Sequence, residues 1–212
     1  MSPNPKIESL SLQGPAGALE ALLRMPKERV EKAAVLCHPH PLYQGSMHSP
    51  VVFRAARAFH RSGIATLRFN FRGVGRSAGI YDGGRGEIDD VRAAIEFLRG
   101  RFPDLPLALA GYSFGSLVGF QAAAGDARVG QLIGIGVPVA LDSFDFLRDV
   151  DKPLWIFQGD RDEFGPLEQI KGLIKLAGRP SRLITIPGGD HFFTNRLDLL
   201  EETLAGALAG AD

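Results

Sequence analysis

Apolar residues along this chain fall into two kinds of run. Short, nearly continuous runs of strand length occur at 33–37, 64–69, 107–111, 132–137, 154–158 and 183–186. Runs without polar alternation suit strands covered on both faces. Between them the apolar positions take helical spacing. Ser49-Pro50 offers an N-cap followed by proline at the first helical position, and Val51, Val52, Ala55 and Phe59 continue one stripe. Ile88, Val91, Ile95 and Leu98 form a second stripe, with Glu87, Asp89 and Asp90 at the end where a helix dipole favours negative charge. Residues 114–124 are small and apolar enough for a buried helix. Two further helices are predicted over 167–176 and 194–208, the latter with Leu197, Leu200, Leu204 and Leu208 on one side. Ahead of all these, 6–13 and 18–25 read as two strands joined by the turn Gly14-Pro15-Ala16-Gly17.

An antiparallel start followed by repeated strand–helix units predicts an α/β fold. The expectation is a mostly parallel, twisted sheet of about eight strands with helices on both faces. No repeat, low-complexity tract or linker divides the chain, so residues 1–212 are expected to form a single domain. Composition narrows the function classes. Lys plus Arg and Asp plus Glu are both 24, and a chain without net charge lacks the basic excess that binds a phosphate backbone, so nucleic acid is not an expected partner. Apolar stretches stop well short of the ~20 residues that span a bilayer, and the first six residues contain no apolar signal segment. Cys37 is the only cysteine, which excludes an internal disulfide and suits a reducing cytoplasm. A homodimer is compatible with this composition, which does not fix the oligomeric state.

The chemistry is concentrated in loops that follow predicted strands. Gly111-Tyr112-Ser113-Phe114-Gly115 lies between the strand at 107–111 and the buried helix. In that context G-x-S-x-G lifts a serine clear at a sharp turn, over a helix N-terminus that favours developing negative charge. A glycine-rich turn with an incidental serine is the alternative. Asp160, Asp162 and Asp190 follow later strands, as does His191. Parallel strands deliver such loops to one sheet edge, so Ser113, Asp162 and His191 are expected to converge as nucleophile, acid and base. Asp160 can instead cap its turn, and Asp190 adjoins His191 in sequence.

These residues carry a resemblance. Val35–Tyr43 with its H-P-H-P segment, Phe69–Ser77, Gly111–Gly115, Gly159–Asp162 and Asp190–Phe192 together resemble α/β-hydrolase-fold serine hydrolases. The similarity covers essentially the whole chain and is greatest to a compact bacterial group near the dienelactone-hydrolase-like proteins. Where that group usually has G-G-T-M after the tyrosine, this chain has Gln44-Gly45-Ser46-Met47, and where a dienelactone hydrolase has cysteine at the turn, this chain has Ser113.

An oxyanion hole on this scaffold combines the N–H of the residue after the nucleophile, Phe114, with one from the loop after the early strand. Pro39 and Pro41 have no N–H, so His40 is the expected second donor, with Leu42 as the fallback. His38 and His40 also suggest a metal pair, but no further ligands cluster with them and no metal is expected. Only 138–152 separates two strands where relatives of this fold insert a cap. The site is therefore expected to lack a cap domain and to be roofed by loops carrying Leu42, Tyr43, Phe144 and Phe146. The reading is a cytoplasmic serine hydrolase that cleaves small-molecule carboxylic esters through an acyl-enzyme and needs no cofactor, nucleic acid or membrane. A thioesterase, a small-peptide hydrolase and a non-catalytic ligand-binding relative are the alternatives.

Overall fold

A computed structural model describes residues 6–27, 29–177 and 180–210. Residues 1–5, on which the absence of a signal segment was argued, lie outside them. The strands are β1 (Lys6–Gly14), β2 (Gly17–Met25), β3 (Lys32–Cys37), β4 (Ile64–Phe69), β5 (Leu107–Tyr112), β6 (Val129–Ile135), β7 (Leu154–Gly159) and β8 (Ser181–Ile186). The helices are α1 (Pro50–Arg61), α2 (Arg85–Arg101), α3 (Phe114–Ala124), α4 (Leu167–Ala177) and α5 (Leu197–Leu208). All eight strands join one sheet in the order β1-β2-β4-β3-β5-β6-β7-β8. The pairs β1–β2 and β2–β4 are antiparallel and the others parallel.

Two apolar layers sandwich the sheet. Val91, Ile95 and Leu98 of α2, Val118 and Phe120 of α3 and Ile170 of α4 pack on one face. Val52 and Phe59 of α1 with Leu200 and Leu204 of α5 pack on the other. Strand β5 is buried throughout, which is why it carries no polar alternation, and β4 is equally buried even though Thr66 and Arg68 interrupt its apolar residues. This is the mostly parallel, helix-flanked sheet that the resemblance implies, without a cap: between β6 and β7 there is only a short 3-10 turn, Asp145–Asp149. No helix among the described residues is long and apolar enough to cross a membrane.

The strand order places the functional loops. β3 lies between β4 and β5, so the chain leaves β3 for α1 on one face and leaves β5 for α3 on the other. Such a switch point opens a crevice at the carboxyl ends of the strands. Cys37 pairs with Gly111 and Tyr112 with Ile135, so the loops that follow these strands start at nearly the same level.

Local backbone and capping geometry departs from expectation at three places. β6 stops at Ile135 because Gly136 turns with φ 53°. The Val137 N–H leaves the ladder for the Gln158 side chain. α5 begins at Leu197 and not at residue 194, because Phe193 and Asn195 both have left-handed φ, 53° and 55°. Ser49 occupies the N-cap of α1 as expected, yet its hydroxyl accepts from the Ser46 N–H and caps no helical amide.

Candidate active site

At the turn from β5 into α3, Ser113 has φ 53° and ψ −125°. A non-glycine residue held there stores roughly 1–3 kcal/mol of backbone strain. The surrounding bonds impose it. The Ser113 N–H donates to the Ile135 carbonyl at 3.0 Å, and the Ser113 carbonyl accepts from the Ser116 N–H and hydroxyl at 2.8 and 2.6 Å. Both flanking glycines are obligatory. A Cβ on Gly111 would stand 2.3 Å from the Gly115 carbonyl oxygen, and one on Gly115 would stand 2.5 Å from the His38 carbonyl oxygen. The turn can therefore form only with backbone packed on backbone.

His191, from the loop after β8, places Nε2 at 2.9 Å from Ser113 Oγ. Its Nδ1 is 2.9 and 3.1 Å from Asp162 Oδ2 and Oδ1. With Nδ1–H donated to the carboxylate, the Nε2 lone pair faces the serine hydroxyl. Asp162 is fixed in turn by the Gln158 amide at 2.7 Å and by the N–H groups of Phe164 and Gly165 at 2.9 and 3.1 Å. Asp162 and His191 are both buried, so the low local dielectric strengthens their bond. The other two carboxylates are engaged elsewhere: Asp160 accepts the Gly188 N–H at 2.7 Å, and Asp190 accepts the Thr194 N–H at 2.8 Å. Around the imidazole, Phe164 packs edge-on at 4.8 Å and the Tyr112 hydroxyl donates to the His191 carbonyl at 3.1 Å.

The two histidines after β3 divide their tasks. Buried His38 donates Nδ1–H to the Pro39 carbonyl at 2.6 Å and accepts the Phe71 N–H on Nε2 at 3.0 Å. It ties the loop after β3 to the loop after β4. Both ring nitrogens are thereby used, and among the described residues no group of three His, Cys, Asp or Glu side chains could hold a metal. Burial pushes the His38 pKa down to about 4, against the pull of the Pro39 carbonyl. His40 accepts the Leu42 N–H on Nδ1 at 3.2 Å, and its Nε2 is 3.1 Å from the Tyr81 hydroxyl. Its ring packs on Phe114 at 4.8 Å, and burial lowers its pKa despite Asp142 and Glu87. The Leu42 N–H is therefore occupied. Among the described residues no protein acceptor takes the backbone N–H of His40 or Phe114. Burial pushes the Cys37 thiol above its usual range, which leaves it inert.

The expected roof needs correction on one side. Leu42 and Tyr43 are strongly exposed, at 66% and 83%. Phe144 instead turns inward, 3% exposed, against Phe120 of α3, and half-buried Phe146 stacks on it. A large ring in a short loop above an apolar helix gains more from burial than from lining an open mouth. Exposed Ile80, Leu141 and Phe192 occupy rim loops that the sequence reading left unmarked. It also missed Gln158 and Tyr81. A buried glutamine at the end of an apolar strand is itself a signal, since its amide must find partners. Nothing in the sequence pairs Tyr81 with His40.

A family model described as an alpha/beta hydrolase domain matches residues 34–209. The chain is similar to a crystal structure from Xanthomonas campestris described as a member of the α/β serine hydrolases without a lid, at 37% identity and TM-score 0.87, covering 97% of this chain and 94% of that one. It is also similar to an α/β serine hydrolase homologue from Coxiella burnetii, at 39% identity and TM-score 0.90, covering 95% and 97%. Dienelactone hydrolase from Anabaena variabilis shares the fold at TM-score 0.81 with 18% identity, covering 95% of each chain.

Proposed function

As the chain belongs to the α/β-hydrolase domain family, we propose that it is a serine hydrolase of small carboxylic esters, with Ser113, His191 and Asp162 as its catalytic triad. The observation that carries this reading is the unbroken bond chain from Asp162 through His191 to a strained Ser113. His191 Nε2 takes the Ser113 proton as Oγ bonds to the ester carbonyl carbon. The carbonyl oxygen becomes an oxyanion, bound by the N–H groups of Phe114 and His40, each contributing ~10²–10³-fold to turnover. Asp162 stabilises the imidazolium, which then protonates the departing alkoxide. An acyl-enzyme remains, and water, deprotonated by the same imidazole, releases the carboxylic acid and restores Ser113.

The open, capless mouth and its apolar rim support a small or flexible acyl group. Nucleophile, base and oxyanion donors all come from the chain, so the reaction needs no metal or prosthetic group. One buried cysteine is compatible with the cytoplasm, where we place the activity, on a single domain formed by residues 1–212. Turnover of 4-nitrophenyl butyrate tests the proposal. Wild-type protein is expected to show a burst of one nitrophenolate per chain followed by steady hydrolysis, and Ser113→Ala neither. Equal turnover by the two proteins would refute it.

A further inference from the structure

On the α1 side of the sheet, far along the chain from the triad, two buried arginines lack a contact ion pair among the described residues, and Glu201 acts on Arg24 only from longer range. Arg24 of β2 pairs with Thr66, and Arg68 of β4 pairs with Leu22, so the two arginines are diagonal neighbours on one face. They are buried to 7% and 3% exposure. The Nε atom of each is enclosed without a hydrogen-bond partner, and Arg68 uses Nη1 on the Met47 carbonyl at 2.9 Å. Both guanidiniums stand about 6 Å from the ring of Phe53, 6.0 and 5.8 Å.

The nearby carboxylates are already committed. Buried Glu201 is shared by Arg54, Arg57 and Arg61 at 3.0, 3.2 and 3.6 Å, while Asp198 pairs with Arg54 and Glu202 with Arg61. Among the described residues no carboxylate lies in salt-bridge range of Arg24 or Arg68. Lys27 and His60 face the same cluster, and the buried His60 Nδ1 is also without a partner. Burial and the charge of Arg24 push the Arg68 pKa down to about 10, which still leaves it charged at neutral pH. Uncompensated buried charge is costly, and arginine cannot escape it by losing its proton.

We propose that Arg24 and Arg68 form a binding site for a phosphate group, separate from the hydrolytic site. Guanidinium N–H donors match the oxygens of a phosphate in both charge and hydrogen-bonding capacity. Phe53 and Ile7, the residue directly opposite Arg24 on β1, are exposed beside it. The phosphate is therefore either free or the headgroup of an apolar molecule lying on those two side chains.

Inorganic phosphate added to the wild-type protein is expected to broaden its own ³¹P resonance and to raise Tm saturably, by roughly 3–5 °C over sodium chloride of equal ionic strength. Arg24→Gln is expected to weaken phosphate at least tenfold while ester turnover stays unchanged, which also certifies its fold. Arg24→Lys, the milder change, is expected to lie between them. Co-sedimentation with phosphatidic acid vesicles, over a phosphatidylcholine control and lost in Arg24→Gln, assigns the phosphate to a lipid. Binding of inorganic phosphate alone assigns it to a soluble ligand. A wild-type protein that responds to neither probe, or an Arg24→Gln protein that binds as well as wild type, overturns the proposal.

Discussion

The turn that carries Ser113 and the rim that surrounds it are built to opposite tolerances. At the turn, two missing Cβ atoms, one serine at positive φ and three hydrogen bonds leave a single geometry. At the rim, the side chains of Leu42, Tyr43, Ile80, Leu141 and Phe192 stand largely in solvent, with Tyr43 and Phe192 leaning on the rings of His40 and His191. The difference separates two properties usually discussed together. Chemistry depends on positions that accept almost no alternative, whereas substrate choice falls to positions that can change without disturbing the fold.

The largest effect should come from within the constrained region. Asp162→Asn is expected to lower kcat about 10⁴-fold, because an amide cannot hold the imidazole tautomer that presents Nε2 to Ser113. Asp160→Asn should cost less than about tenfold, since Asp160 serves only the Gly188 turn. Steady-state kinetics on one ester decides between them, and the reverse order would move the acid to Asp160.

A smaller effect tests how the constrained region is supported. His38 stays neutral in the native state down to about pH 4, whereas an unfolded histidine takes a proton near pH 6.5. Between those values the unfolded chain binds the extra proton, so stability falls as pH falls, by roughly 3 kcal/mol at most. In His38→Gln the amide oxygen can still accept the Phe71 N–H but does not titrate. Denaturation curves from pH 7 to 4 should therefore fall more steeply for wild type than for His38→Gln; parallel curves would show that His38 carries no such linkage. The smallest effect belongs to the rim. Leu42→Ala and Tyr43→Ala are expected to shift KM within about tenfold, with kcat and Tm nearly unchanged, as exposed positions rarely contribute more than ~0.5 kcal/mol to stability. A collapse of kcat in either would erase the distinction between the two regions.

Legibility in the sequence follows the same division. Buried strands such as β3 and β5 announce themselves as short apolar runs, and α3 is delimited by the glycine-flanked turn before it. The placement of Ser113, Asp162 and His191 at one sheet edge follows from strand order alone. The misreadings occur where a local backbone choice overrides pattern: Gly136 ends β6 early, and Phe193 and Asn195 delay α5. Phe144 was misplaced because an aromatic residue in a loop looks the same whether it lines a mouth or plugs a core. The roles of His38 and His40 depend on Phe71 and Tyr81, partners more than thirty residues away that no local signal connects to them.

The central claim is that Ser113 becomes acylated, and covalent trapping tests it most directly. The protein would be treated with a fluorophosphonate, digested, and the adduct mapped by mass spectrometry. One adduct per chain is expected, on Ser113, and absent from Asp162→Asn at short times. Adducts on Ser46, Ser49 or Ser116, or none on wild-type protein that still turns over ester, would contradict it.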